Sequence, residues 1–218
     1  MIEINHHKTE SIRNLGDVDI TEITGMLNNL NPDDWDKQVD FKTNYNKKKG
    51  GHSALQQVQH ITFRFSNKQS DEIEYLELPS WKAWESALLP LLQEATALYG
   101  YKNGFYPKVM LAKIPAKGFI PPHVDGGIRG FAPHKIHIPI QTNPDCFFFI
   151  EKEKHNLKEG VAYEVNNGKQ HGVVNNGTTD RIHLIFEYLD MNVQPEEVKN
   201  KMRHCQIQSS RHINPTGL

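Results

Sequence analysis

From Tyr106 onward, apolar residues recur at every second position in short runs, and turn-forming clusters separate the runs. Period two is the pattern of a strand with one face towards a core. It predicts strands near 107–114, 119–124, 135–141, 146–151, 161–165, 171–175 and 181–188. Gly126-Gly127, Asn143-Pro144-Asp145, Asn166-Asn167-Gly168 and Asn175-Asn176-Gly177 are the turns between them. Upstream the period lengthens. Ile20, Ile23, Leu27 and Leu30 share a helical stripe that Asn31-Pro32 ends. Val58 to Phe65 alternates as a strand. A second helix is expected from Ser80, as N-cap, to Tyr99. It carries Trp81, Trp84, Leu88, Leu91, Leu92 and Ala95 on one stripe, with Gly100 as its stop and Pro90 as a kink or break. Residues 1–18 read as an irregular lead-in and 43–52 as a loop. Gln194 to Arg203 reads as one more helix.

This order predicts a mainly β fold with packed helices (α+β), a jelly-roll or cupin-like double sheet. At 218 residues the chain suits one domain with extensions. Residues 1–104 form a helix-rich N-terminal region, 105–190 the β core and 191–218 a helical tail.

Net charge is −1, so no global field points to nucleic acid. No run of about 18 apolar residues exists, so no membrane helix is expected. Met1 to Glu10 is polar and lacks the apolar centre of an export signal, which predicts a cytoplasmic, reducing location. Cys146 and Cys205 are too far apart in sequence for a Cys-x-x-Cys motif, and two cysteines make no disulfide framework.

The chemistry lies in Pro121-Pro122-His123-Val124-Asp125, taken with His171 and Arg181. The two prolines disfavour helix, so His123 and Asp125 point to one side of an extended segment. His171 follows the Asn-Asn-Gly turn and adds a second imidazole. Two imidazoles and one carboxylate make a facial triad suited to non-haem Fe(II) with open positions. A reducing compartment would keep that iron ferrous. Arg181 follows ten residues later, and its planar fork suits a dicarboxylate co-substrate. His134 is a second candidate for the place of His123, but it has no carboxylate at i+2. His155, His183 and His204 carry no such signal.

Strand parity adds a second line of argument. Arg181, His183, Ile185 and Glu187 share one face of the last strand, and Ile182, Leu184, Phe186 and Tyr188 the other. Lys135, His137, Pro139 and Gln141 share a face opposed to Ile136, Ile138 and Ile140. Two strands with polar, cation-bearing inner faces predict a pocket for an anion. The alternative is two amphipathic strands with one solvated face. Lys47-Lys48-Lys49-Gly50-Gly51 reads as a solvated turn or a lid over an anionic substrate, and it lacks the order of a phosphate-binding P-loop. Phe147-Phe148-Phe149 reads as core strand.

Pro115 to Leu189 resembles the aspartyl/asparaginyl β-hydroxylase branch of the 2-oxoglutarate- and Fe(II)-dependent oxygenases. The resemblance rests on Ile120 to Asp125, Lys135 to Ile140, His171 to Asn175 and Arg181 to Phe186. It implies a double-stranded β-helix in which His123, Asp125 and His171 bind iron and Arg181 holds the distal carboxylate of 2-oxoglutarate. It also implies that His137 lies near the co-substrate, and that Lys135 stands where the family often has an arginine. Some members lack the carboxylate ligand, whereas this chain has Asp125. A serine that helps hold the co-substrate in some members is replaced by Leu111 or Ala112. The implied reaction hydroxylates an unactivated C–H of an amino acid, free or in a peptide, and consumes dioxygen. Two other readings remain at this point. One is a non-redox cupin-like module that holds Zn or Mn and binds a small acid. The other is an interaction domain with ligand-like surface groups.

Overall fold

The computed structural model describes residues 10–35, 58–67, 74–125 and 133–192. The elements are β1 (Ile12–Asp17), α1 (Thr21–Asn28), β2 (Gln59–Asn67), β3 (Glu74–Glu77), α2 (Pro79–Thr96), β4 (Gly104–Ile114), β5 (Phe119–His123), β6 (His134–Gln141), β7 (Cys146–Ile150), β8 (Glu153–His155), β9 (Val161–Val165), β10 (His171–Asn175) and β11 (Arg181–Asp190).

The strands form two sheets. One has seven strands in the order β1-β9-β6-β11-β4-β2-β3, and the other has four in the order β5-β10-β7-β8. Every pairing is antiparallel. From β4 onward the chain passes from one sheet to the other at nearly every turn, so neighbours in sequence face each other across the sandwich. That alternation is the jelly roll expected from the strand pattern, and it agrees with the double-stranded β-helix that the resemblance implies.

The large sheet is buried on both faces. Ile182, Leu184, Phe186 and Tyr188 of β11 pack with Trp81, Trp84, Leu88, Leu91 and Leu92 of α2. The opposite face packs against the small sheet through Ala112, Ile114, Phe148, Ile150, Tyr163 and Val173. Arg181, His183 and Glu187 are buried on the face of β11 that looks inward. The reading of β11 as two faces, one for packing and one polar and buried, therefore holds. The solvated-face alternative does not.

Several expectations are corrected. Within the expected lead-in, residues 12–17 are an edge strand with a bulge between Asn14 and Gly16. Leu15 is its one buried residue, so no alternation marks it. β3 and β8 were not anticipated, and both are short. The N-terminal region thus adds three strands to the large sheet as well as two helices. Ser80 is not the N-cap of α2. Pro79, with its fixed φ, occupies the first turn, Leu78 takes the cap position, and the Ser80 hydroxyl donates to Thr62 O of β2 at 2.8 Å. The regular helix ends at Thr96, and a 3₁₀ turn carries the chain to Tyr99. Gly100 then stops it in the left-handed region, at φ 63°. Pro90 does not break the helix. It lies on the exposed face, where water can satisfy the freed carbonyl. The expected loop at 43–52, with its lysines, and the expected tail helix lie outside the described residues, as do Gly126-Gly127, His204 and Cys205. Among the described residues no helix is long and apolar enough to cross a membrane.

Leu88 is fully buried between α2 and the large sheet. Leu88→Ala should destabilise the fold by about 2–5 kcal/mol. Urea unfolding followed by tryptophan fluorescence measures this, and an unchanged midpoint would contradict the packing described.

Candidate metal centre

β5 is an edge strand, so Pro121 and Pro122 can occupy it although neither donates a backbone hydrogen bond. β10 pairs with it antiparallel, and His171 stands directly opposite His123. The ladder shifts between His171 and Val173, and at this shift the two backbones come unusually close. A Cβ on Gly172 would lie 2.9 Å from Ile120 O and 3.2 Å from Pro122 N. Only glycine lets the strands meet there, and their meeting brings the two imidazoles together.

The rings of His123 and His171 are 4.4 Å apart between centroids. Their Nε2 atoms lie 3.7 and 4.0 Å from Oδ1 of Asp125. One ligand atom from each residue falls within 4.8 Å of the others, the one such cluster among the described residues. Each imidazole is aimed from behind. His123 Nδ1–H donates to Pro121 O at 2.8 Å and His171 Nδ1–H to Lys169 O at 2.9 Å. A carbonyl can only accept, so each Nε2 keeps its lone pair towards the common centre. Phe148 stacks on His171 with an interplanar angle of 12°. Asp125 is held by its other oxygen. Lys135 Nζ and Asn167 Nδ2 both donate to Oδ2 at 3.3 Å, and the Asp125 amide donates to Asn167 O. Oδ1 is left facing the imidazoles.

The electrostatics suit a divalent cation. Burial alone would raise the Asp125 carboxyl, but Lys135, His171, Lys108 and His123 hold it well below the usual carboxylate range. Burial pushes His171 down, which favours the neutral ligand form. Burial would lower the Lys135 ammonium too, yet Asp125 and Glu187 lift it above its ordinary value. Two imidazole nitrogens and an ionised carboxylate on one side of a point fit Fe(II) with open positions.

Deeper between the sheets, Arg181 is 2 % exposed. Its Nη2 donates to His183 Nδ1 at 2.7 Å, and no carboxylate among the described residues lies in ion-pair range. Desolvation brings its pKa down to about 10. A buried guanidinium without an anion is costly, and an anionic ligand would offset that cost. A small cavity beside it is lined by Thr142, Cys146, Phe148, Arg181 and His183. His137 is buried on the same inward face, near both His183 and Phe148. Its ring is 5.9 Å from that of His183 and 5.8 Å from that of Phe148, which in turn stacks on His171. Burial, with Arg181 next, holds His137 well below its ordinary value, so it is neutral. Its Nδ1 has no hydrogen-bond partner among the described residues.

The structure brings His123, Asp125 and His171 together and sets Arg181 and His137 on the inward face of the facing sheet. Lys135 is on that face too, but its ammonium is engaged by Asp125 rather than open to a co-substrate. His134 is elsewhere. It points to the outer face of the large sheet, where Nδ1 bonds Glu164 at 2.6 Å and Tyr101 OH donates to Nε2. This removes it as a rival ligand. His155 pairs with exposed Glu153, as a bland histidine would. His183 carried no signal in the sequence, yet it is fully buried on Arg181; strand parity put the two on one face. Asn167, a turn residue by sequence, is in fact a partner of Asp125. Of the two residues at the place of the missing serine, Ala112 faces inward opposite His183, while Leu111 packs with the helices.

Comparison with known proteins adds family information. The aspartyl/asparaginyl β-hydroxylase family matches residues 54–190, more than half of the chain. A search of curated proteins found no match. Among solved structures, the chain is similar to an oxidoreductase of the 2OG-Fe(II) oxygenase family from Burkholderia pseudomallei. Identity is 11 % over 80 % of this chain and 91 % of that one, with a TM-score of 0.48. It is also similar to a prolyl-4-hydroxylase from Pseudomonas putida, at 11 % identity over 85 % and 95 % with a TM-score of 0.44. A viral collagen prolyl hydroxylase from Paramecium Bursaria Chlorella virus-1 matches at 11 % identity over 84 % and 98 %, with a TM-score of 0.44.

Gly172→Ala should force β5 and β10 apart and separate the imidazoles. Fe(II) affinity should fall about tenfold or more, with a stability loss of about 1–3 kcal/mol. Gly25→Ala in α1 meets nothing within 4 Å and is the control. Anaerobic Fe(II) titration of both variants reads the difference, and equal affinities would contradict the close approach described.

Proposed function

The chain belongs to the aspartyl/asparaginyl β-hydroxylase family, whose members are 2-oxoglutarate- and Fe(II)-dependent hydroxylases, and we propose that His123, Asp125 and His171 are its iron ligands. Arg181 is the anchor for the distal carboxylate of 2-oxoglutarate. The substrate is an amino acid, free or in a peptide. The observation that carries this reading is the combination of three converging donors with a buried guanidinium that has no carboxylate partner among the described residues.

When bound, Fe(II) and 2-oxoglutarate together supply the oxidising chemistry: dioxygen is consumed, succinate and carbon dioxide leave, and one oxygen atom enters a C–H bond. The protein contributes position and environment. Pro121 O and Lys169 O fix the two imidazoles, so the donor set is in place before the metal arrives. Lys135 and Asn167 keep Asp125 ionised and turned with one oxygen inward. Arg181 offers two parallel N–H groups to a carboxylate, and its pairing with His183 fixes the plane of the fork. His137, held neutral, has an unused ring nitrogen to offer the co-substrate. Phe148 and Val173 give the small cavity beside Arg181 apolar walls.

Fe(II) and 2-oxoglutarate added anaerobically to metal-free protein should give a visible charge-transfer band. His171→Ala should abolish it. Arg181→Lys, which loses the bidentate fork, should raise the 2-oxoglutarate concentration needed for half of the band by about tenfold or more. No band in folded, iron-loaded protein would contradict the oxygenase reading and favour a metal-binding module without redox chemistry. An unchanged co-substrate requirement in Arg181→Lys would contradict the role given to Arg181.

A further inference from the structure

Glu187 alternates with Arg181, His183 and Ile185 on the inward face of β11 and is 3 % exposed. In register it stands between Lys108 of β4 and Lys135 of β6. Its one ion-pair partner among the described residues is Lys135, at 4.0 Å, and that ammonium is closer to Asp125, at 3.3 Å. No hydrogen-bond donor among the described residues reaches either oxygen of Glu187. A carboxylate has about four acceptor positions, and a buried one without donors is costly to maintain. Glu187 is therefore a buried acceptor with unused capacity, one lysine ammonium away from the ligand Asp125.

We propose that Glu187 accepts hydrogen bonds from the ammonium group of a free amino acid held at the metal centre, which makes it a specificity-determining residue. The inference rests on the hydroxylase reading above and narrows its substrate class. An ammonium suits Glu187 better than a peptide N–H for two reasons. Charge-assisted hydrogen bonds are about twice as strong as neutral ones. The nearest ammonium, that of Lys135, is already hydrogen-bonded to Asp125, so the acceptor positions of Glu187 are left for a donor on the substrate. Recognition at Glu187 would set the amine end of the substrate beside Asp125, and so place a carbon of the same molecule near the open positions of the metal.

Protein loaded with Mn(II) and 2-oxoglutarate, which binds without turnover, is titrated calorimetrically. The ligands are the standard L-amino acids, their N-acetyl derivatives and peptides carrying the same residues internally. At least one free amino acid should bind, and its acetylated and internal forms should bind at least about tenfold more weakly. Glu187→Gln should lose about tenfold or more for the free amino acid while keeping its Mn(II) affinity, and Glu187→Asp should recover part of the loss. Equal binding of free and acetylated forms would overturn the proposal, as would binding of internal peptides alone or of no amino acid. A matching loss of Mn(II) affinity in Glu187→Gln would also overturn it, by making Glu187 a support for Lys135. If Mn(II) fails to bind wild-type protein, the metal assignment itself falls, which is a separate result.

Discussion

The arrangement depends on the close approach of β10 to β5. Two strands of the small sheet must meet where one carries consecutive prolines, and they do so because the facing residue is Gly172. That contact places His171 opposite His123. The carbonyls of Pro121 and Lys169 then fix the ring orientations, and the segment just beyond β5 delivers Asp125. None of these residues needs a large rearrangement to offer its ligand atom.

The facing sheet supplies the opposite requirement, charge held inside a folded core. Arg181, Lys135 and Glu187 lie on its inward face, where burial penalises the two cations. The sandwich tolerates them because their partners are arranged in order. Lys135 is shared between Asp125 and Glu187. His183 takes one N–H of Arg181, and neutral His137 nearby adds no charge. Among the described residues Arg181 has no anion partner and Glu187 no hydrogen-bond donor, and the two lie towards opposite ends of the inward face of β11. His123, Asp125 and His171, which could hold a metal ion, converge in the same sandwich. Preorganised charge of this kind is what an active site needs and what a purely structural core avoids.

Much of this was legible from alternation. The polar and apolar faces of β6 and β11 follow from period two, and Pro121-Pro122 made the His-x-Asp pair extended. Elements that escaped the reading lack the signal on which it rests. β1 has a single buried residue and a bulge, β8 is three mostly polar residues, and the start of α2 is set by Pro79 rather than by a capping side chain. Partners that depend on through-space contact were equally silent. Asn167 reaches Asp125 across 42 positions of chain, and nothing local in the Asn-Asn-Gly turn announces it. The engagement of Lys135 by Asp125 is of the same kind. His134 ranks second in the sequence for want of a carboxylate at i+2, and the structure turns it to the outer face, opposite to Lys135 and His137, where it meets Glu164 and Tyr101.

The most direct measurement is anomalous diffraction at the iron edge from crystals grown anaerobically with Fe(II) and 2-oxoglutarate. The account predicts one iron bonded to Nε2 of His123, Nε2 of His171 and Oδ1 of Asp125, with the distal carboxylate of 2-oxoglutarate on the guanidinium of Arg181. Iron at any other cluster, such as His134 with Glu164, or 2-oxoglutarate bound away from Arg181, would contradict it.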